Sequence, residues 1–330
     1  MRLIDMHCDT IWMLMREKHE KLQSNSFCVD VEKMKSANCM AQFFACFIYM
    51  DAIMGDDRYD KGYQMALQMI AKGKKELAEC AKDINLACSF DDMIKNSANG
   101  KMSAFFTIEE GGILNDDITR LEHLYKEGIR IMTITWNHEN CIGYPNSRDN
   151  EIMQKGLKPF GVDVIRKMNE LGMIIDVSHL SDGGFWDVLK YSKQPVVASH
   201  SNARSLCNHP RNLSDEMIRA LAVKGGIAGI NLYPYFINGH GIATVENIAE
   251  HIAHMYQVGG EDFVAVGTDF DGFDEGKLEI THIGQMGKLY DAVKKCGFPE
   301  RQMEKFWSGN AMRVMQQVLQ ERVIKIIYQS

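Results

Sequence analysis

Short apolar runs recur along the chain at a spacing that predicts strands alternating with helices. Eight runs read as strands: Leu3–Met6, Ala41–Tyr49, Ala104–Ile108, Ile129–Thr135, Met173–Val177, Val196–Ser199, Ile227–Asn231 and Phe263–Val266. Between most of them lie helical patterns, at Tyr63–Cys80, Ile118–Glu127, Gly161–Leu171, Gly184–Leu189, Glu216–Lys224 and Val245–Val258, and two more, His282–Lys295 and Glu300–Ile326, close the chain. Such alternation implies parallel pairing with right-handed crossovers. The runs are mostly apolar, which fits a sheet covered on one side and filled on the other. Eight units favour a closed (β/α)8 barrel, an α/β fold, over a doubly wound sheet. Segment 50–103 is longer than one crossover requires and is expected to hold an extra helix or a lid. No Pro/Gly/Ser-rich stretch divides the chain. The expected organisation is one barrel domain over residues 1–330 with an insertion around 50–103.

Composition changes this picture little. The chain is 45% hydrophobic and 25% charged, as in an ordinary soluble protein. A net charge of -7 and the lack of a basic stripe argue against nucleic acid as a partner. No segment approaches the roughly 20 apolar residues of a membrane span. The first residues, Met-Arg-Leu-Ile-Asp-Met-His, carry no signal-like apolar stretch, and Arg322 to Ser330 no lipidation signal. A cytoplasmic protein without a membrane partner is therefore expected. Nine irregularly spaced cysteines, none as Cys-x-x-Cys, read as reduced thiols, with Cys46 and Cys207 in apolar settings. The 22 methionines read as core filling. The sequence does not fix the oligomeric state, and a homodimer stays open.

Candidate chemistry sits where the runs end. His7-Cys-Asp9 closes the first, and alternation lets His7 and Asp9 face one metal while Cys8 turns away. Glu110-Gly-Gly follows the third, where a carboxylate could bridge two cations. Glu109 is its rival, and Glu110 is preferred because it directly precedes the glycine pair. Asp176-Val-Ser-His179 and Ser199-His200-Ser201 follow the fifth and sixth, with the histidines 21 residues apart in matching positions. Mixed His and carboxylate sets with an open position mark catalytic zinc. Asp269, in Gly267-Thr-Asp269-Phe-Asp271-Gly, follows the eighth run and suits proton transfer to a leaving amine. The fourth run ends Thr133-Ile-Thr135-Trp136, without a lysine that could become a carbamate bridge. Arg211, in the loop after the sixth run, can bind a carboxylate with two parallel hydrogen bonds. His19, His123, His251 and His254 lie in helical or loop stretches and read as surface residues. A barrel would bring all strand ends to one face.

In this order the motifs resemble the membrane (renal) dipeptidase family of the amidohydrolase superfamily, from His7 to about Val318. The resemblance implies a binuclear zinc site. His7 and Asp9 would bind one ion and His179 and His200 the other, with Glu110 bridging and Asp269 as the proton-transfer carboxylate. It implies that Arg211 receives the terminal carboxylate of a small dipeptide substrate, which in this family can end in a D-residue. Trp12 and Tyr233 match aromatic pocket positions. The family's histidine at the end of the fourth strand is replaced by Trp136, and His138 or Asn137 would have to substitute. Rival readings are an amidohydrolase acting on cyclic amides, lactones or N-acyl amino acids, and a metal-containing binding protein without turnover.

Overall fold

The computed structural model describes residues 1–273 and 278–320. Nine strands occur in chain order: β1 (Leu3–Cys8), β2 (Cys39–Phe47), β3 (Ile84–Leu86), β4 (Met102–Glu109), β5 (Ile129–Thr133), β6 (Ile174–Asp176), β7 (Val196–Ala198), β8 (Ile227–Ile230) and β9 (Val264–Val266). All pairings between them are parallel. Strand β1 pairs with β2 and β9, and pairing of β2 with β4 closes an eight-stranded barrel. The molecule is a (β/α)8 barrel, and each of the eight sequence runs overlaps one barrel strand. Strand β3 is additional and pairs along the outer edge of β4. It lies between the helices Arg58–Glu79 and Phe90–Ala98 in the long segment that separates β2 from β4.

Strand alternation sorts the side chains. One buried cluster takes Ile4 and Met6 from β1 and Phe43, Phe105, Ile131, Ile174, Val197, Ile227 and Ala265 from the other barrel strands. It is the barrel interior. Phe43 and Phe105, paired in register on β2 and β4, stack with ring centroids 4.7 Å apart. Ala104, Phe106 and Ile108 of β4 instead join the outer cluster that packs against the helices. The helix Asn310–Val318 sends Ala311, Val314, Met315 and Val318 into the interior cluster. These strand residues precede the site residues, so this helix seals the end of the barrel opposite the site.

The last two expected helices are broken. His282–Lys295 resolves into a 3-10 turn at Ile283–Gln285 and a helix at Gly287–Lys295. Glu300–Ile326 is a helix at Glu300–Glu304, a π turn at Lys305–Gly309 and the sealing helix. Its expected continuation to Ile326 lies outside the described residues.

Candidate active site

The site is built where the strands end. Between the pairs Asp5–Gln42 and Cys8–Phe44, Met6 and His7 of β1 face only Phe43 of β2, a bulge that re-aims His7 while Cys8 stays in the outer core. His7 Nε2 then lies 3.5 Å from Asp9 Oδ2, 3.2 Å from Glu109 Oε2 and 3.8 Å from Asp269 Oδ1. His179 Nε2 stands 3.0 Å, and His200 Nε2 3.6 Å, from Glu109 Oε1. The structure thus gathers His7, Asp9, Glu109, His179, His200 and Asp269 at one point.

The place among the imidazoles expected for Glu110 is taken by Glu109, and this corrects the sequence reading. Glu109 continues the inward face of β4 after Phe105 and Thr107. Glu110 comes one residue later, with φ at +103°, and turns away from the cluster. Its carboxylate accepts from Gly112 N at 2.7 Å, Asn140 Nδ2 at 2.6 Å and Trp136 N at 3.2 Å. A Cβ on Gly112 would collide with that carboxylate, which accounts for a glycine there.

Hydrogen bonds fix the imidazoles. Asp176, fully buried, accepts from Ser178 N, Ser199 N, Ser199 Oγ and Thr133 Oγ1 at 2.6–3.0 Å. Ser199 spends its only proton on Asp176, so at 2.7 Å from His200 Nδ1 it must accept. His200 is then protonated at Nδ1 and presents a lone pair at Nε2. His179 likewise donates from Nδ1 to Asn137 Oδ1 at 3.1 Å. The two bare Nε2 atoms face each other at 3.1 Å with a carboxylate beside them. His7 Nε2 and Asp9 Oδ1 are buried without a hydrogen-bond partner. Burial lowers the His7 pKa, but Glu109 and Asp9 outweigh it and hold His7 well above its ordinary value, so this many buried electron pairs call for a proton or a cation among them. The donor set is that of a metal centre. His7, Glu109 and His200 form one group with ligand atoms within 4.8 Å of one another, and His7, Asp9 and Asp269 another.

Electrostatics agree. Burial raises the Asp269 carboxyl to about 6, with the Glu109 charge adding to the rise and His7 and Arg211 opposing it. Burial, helped by the Arg211 charge, lowers His179 to about 4 and keeps it neutral. Asp269 is itself oriented by Asn231 Nδ2, 2.8 Å from its Oδ2. Asn231 and Asn202 exchange hydrogen bonds at 2.8 and 2.9 Å and tie together the loops after β7 and β8. Neither asparagine was singled out from the sequence, although each follows a strand run closely.

The centre opens into a cavity of about 750 Å3. Trp12, Tyr233, Trp136 and Asn137 line it, together with Asp9, Glu109, His179 and Asp269. His138 does not line it. Its Nε2 lies 2.7 Å from Asp51 Oδ1, so the structure places His138 off the cavity where substrate binding was expected of it, while Asn137 lines the cavity and touches His179. Arg211 is 5% exposed and lies just off the cavity surface, with its guanidinium 5.3 Å from the ring of Phe236, a lining residue. It donates to Ser201 Oγ at 3.3 Å and His200 O at 3.2 Å, and its Nε has no partner. His251 is buried rather than a surface residue. It accepts from Ala203 N at Nδ1 and bonds Ile237 O through Nε2, bracing the loop that follows His200. All nine cysteines are free. Among the described residues no helix is long and apolar enough to cross a membrane.

Proteins of similar sequence and fold are dipeptidases and metallo peptidases. An uncharacterised dipeptidase of Schizosaccharomyces pombe is 28% identical over 334 residues, spanning 95% of this chain and 79% of that protein. A dipeptidase solved as a metallo peptidase of family M19 shares the fold with a TM-score of 0.87, at 22% identity over 97% of this chain and 99% of its own. So does a Rhodobacter sphaeroides metallo peptidase bound to a phosphinate mimic of the dipeptide L-Ala-D-Ala, with a TM-score of 0.87, 22% identity and coverage of 96% and 99%. The model of the membrane dipeptidase family, peptidase family M19, matches residues 1–324, and the chain belongs to that family of metallo-dipeptidases.

Proposed function

We propose that this enzyme hydrolyses dipeptides with a free C-terminal carboxylate at a centre of two zinc ions held by His7, Asp9, Glu109, His179 and His200. The facing lone pairs of His179 and His200 beside Glu109 carry this reading. Bound metal at such a centre polarises a carbonyl and lowers the pKa of water. The chain's own residues do the rest. Glu109 offers one oxygen to His7 and the other to His179 and His200, which suits it to bridge. Asp269, set by Asn231, carries a proton from the attacking water to the leaving amine, a role its raised pKa suits.

Arg211 receives the terminal carboxylate. It is a buried cation with no carboxylate within 4.0 Å among the described residues and with an unpaired Nε, so an anion that reaches it satisfies both charge and hydrogen bond. The L-Ala-D-Ala mimic in the Rhodobacter relative supports a D-residue at the second position. The test is hydrolysis of dipeptides and their C-terminal amides, with and without a chelator. Dipeptides should be cleaved, amides should not, and chelation should stop the reaction. Equal cleavage of a dipeptide and its amide would move the reading to a broader amidohydrolase.

A further inference from the structure

The cavity carries aromatic side chains on two sides, with Tyr233, Phe236 and Phe273 on the side of Arg211. Walking round the barrel, the aromatic side chains Trp12, Phe47, Tyr49 and Trp136 come from the ends of β1, β2 and β5. They form one wall. Trp12 meets Phe47 edge-on at 5.7 Å, Phe47 meets Trp136 at 5.0 Å, and Tyr49 meets Trp136 at 5.6 Å. None of the four is fully buried, and Tyr49 keeps 41% of its surface. Arg211 enters from the loop after β7, on the opposite side of the barrel, with the carboxylates and imidazoles between.

Such a wall leaves apolar surface facing a solvent-filled space, which is costly unless a ligand covers it. The argument rests on the dipeptide reading above. A dipeptide has one peptide bond and two ends. With that bond at the centre and its carboxylate at Arg211, the residue nearer Arg211 lies against Tyr233 and Phe236, and the first side chain lies away from Arg211, toward the β1–β2–β5 wall. The geometry points to a subsite for a large apolar, preferably aromatic, side chain on the first residue of the substrate. Trp136 takes part because its ring lines the cavity and packs against both Phe47 and Tyr49, which joins the wall together. Arg16 lies 4.5 Å over the Trp12 ring and lines the same cavity, so a cationic first side chain meets a like charge.

The test is kcat/KM for X-Ala dipeptides with X as Gly, Ala, Leu, Phe and Lys. Burial of a large apolar side chain makes Phe-Ala better than Gly-Ala by roughly 10- to 100-fold, with Leu-Ala close to Phe-Ala and Lys-Ala below Leu-Ala. Trp136→Ala should cut the Phe-to-Gly ratio by at least about fivefold, chiefly through KM. Tyr49→Ser, at an exposed position, should cut the same ratio by a smaller factor and serves if the Trp136 variant fails to fold. A flat or inverted series for the wild type, with dipeptides cleaved and amides spared, would overturn the subsite and leave the dipeptidase reading intact. An unchanged ratio in both variants would also overturn it. Failure to cleave any dipeptide would remove the reading on which the subsite rests.

Discussion

Glu109 and Glu110 are adjacent in the chain and opposite in surroundings. Glu109 faces three imidazole nitrogens, and Glu110 faces three N–H donors. Glu109→Gln should therefore lose bound metal, measured by elemental analysis. Glu110→Gln should keep its metal. Its new amide group must point an N–H at another donor, at a cost of about 1–3 kcal/mol in denaturant unfolding. The reverse metal result would restore Glu110 to the centre. The sequence held the means to choose between them. Phe105, Thr107 and Glu109 share one face of a strand that runs one residue past Ile108. The glycine pair misled because Gly112 serves the Glu110 carboxylate, not the site. Asp176 makes a second residue-scale test. Asp176→Asn cannot accept from all four donors, so His200 loses its orientation. Metal affinity should fall roughly 10- to 100-fold in chelator competition, and the NMR signal of the His200 Nδ1 proton should broaden or vanish. Unchanged affinity and an unchanged signal would show that Asp176 only fills the barrel.

At the scale of elements, the strands were legible because a barrel demands apolar residues on both faces, and eight continuous apolar runs supply them. Strand β3 was not, since three residues at an outer edge leave no pattern to read. The π turn at Lys305–Gly309 was hidden for another reason. It interrupts a helical repeat without changing its apolar spacing enough to show. The inserted helix Arg58–Glu79 carries its own test in Glu76. Its buried carboxylate accepts from Leu22 N at 2.9 Å and Lys72 Nζ at 2.8 Å, pinning the loop after β1 to this helix. Burial alone would raise its pKa above the usual 4.5, but the Lys72 ammonium and the Leu22 N–H outweigh burial and hold it lower. A lowered carboxyl stabilises the fold fully above the unfolded value. That stability is lost as pH falls through the folded value. Glu76→Gln should thus lower Tm at pH 7, and its gap from wild type should close as pH falls below about 4. A gap that widens in acid would contradict this.

At the scale of the molecule, the centre concentrates unpaired charge where the fold can least relieve it. A chelated, metal-free protein should melt lower than the loaded one. Saturation at 100 times Kd contributes about 2.7 kcal/mol, or roughly 5 °C for a chain of this size, read by calorimetry. Equal melting temperatures would mean that the cluster holds no ion. The convergence itself was legible, because a barrel brings dispersed strand ends together. What the sequence left unreadable was the outer layer of contacts, such as Asn137 against His179, which depends on loop paths rather than on any periodic pattern.

Closure of the barrel also sets an order in time. Strand β1 precedes the others, yet Asp5 receives two of its hydrogen bonds from Thr268, 263 residues later, and Thr10 donates to Asp271. At elongation rates of about 5–20 residues per second, the ribosome delivers His7 and Asp9 roughly 10–40 s before His200 emerges, and Asp269 comes later. The helix that seals the barrel comes later still. Through that interval a nascent chain exposes apolar strands without their partners and holds only part of a ligand set. Loading of the centre therefore waits for the barrel to close, and the ion it takes is decided by the compartment in which the finished barrel finds itself.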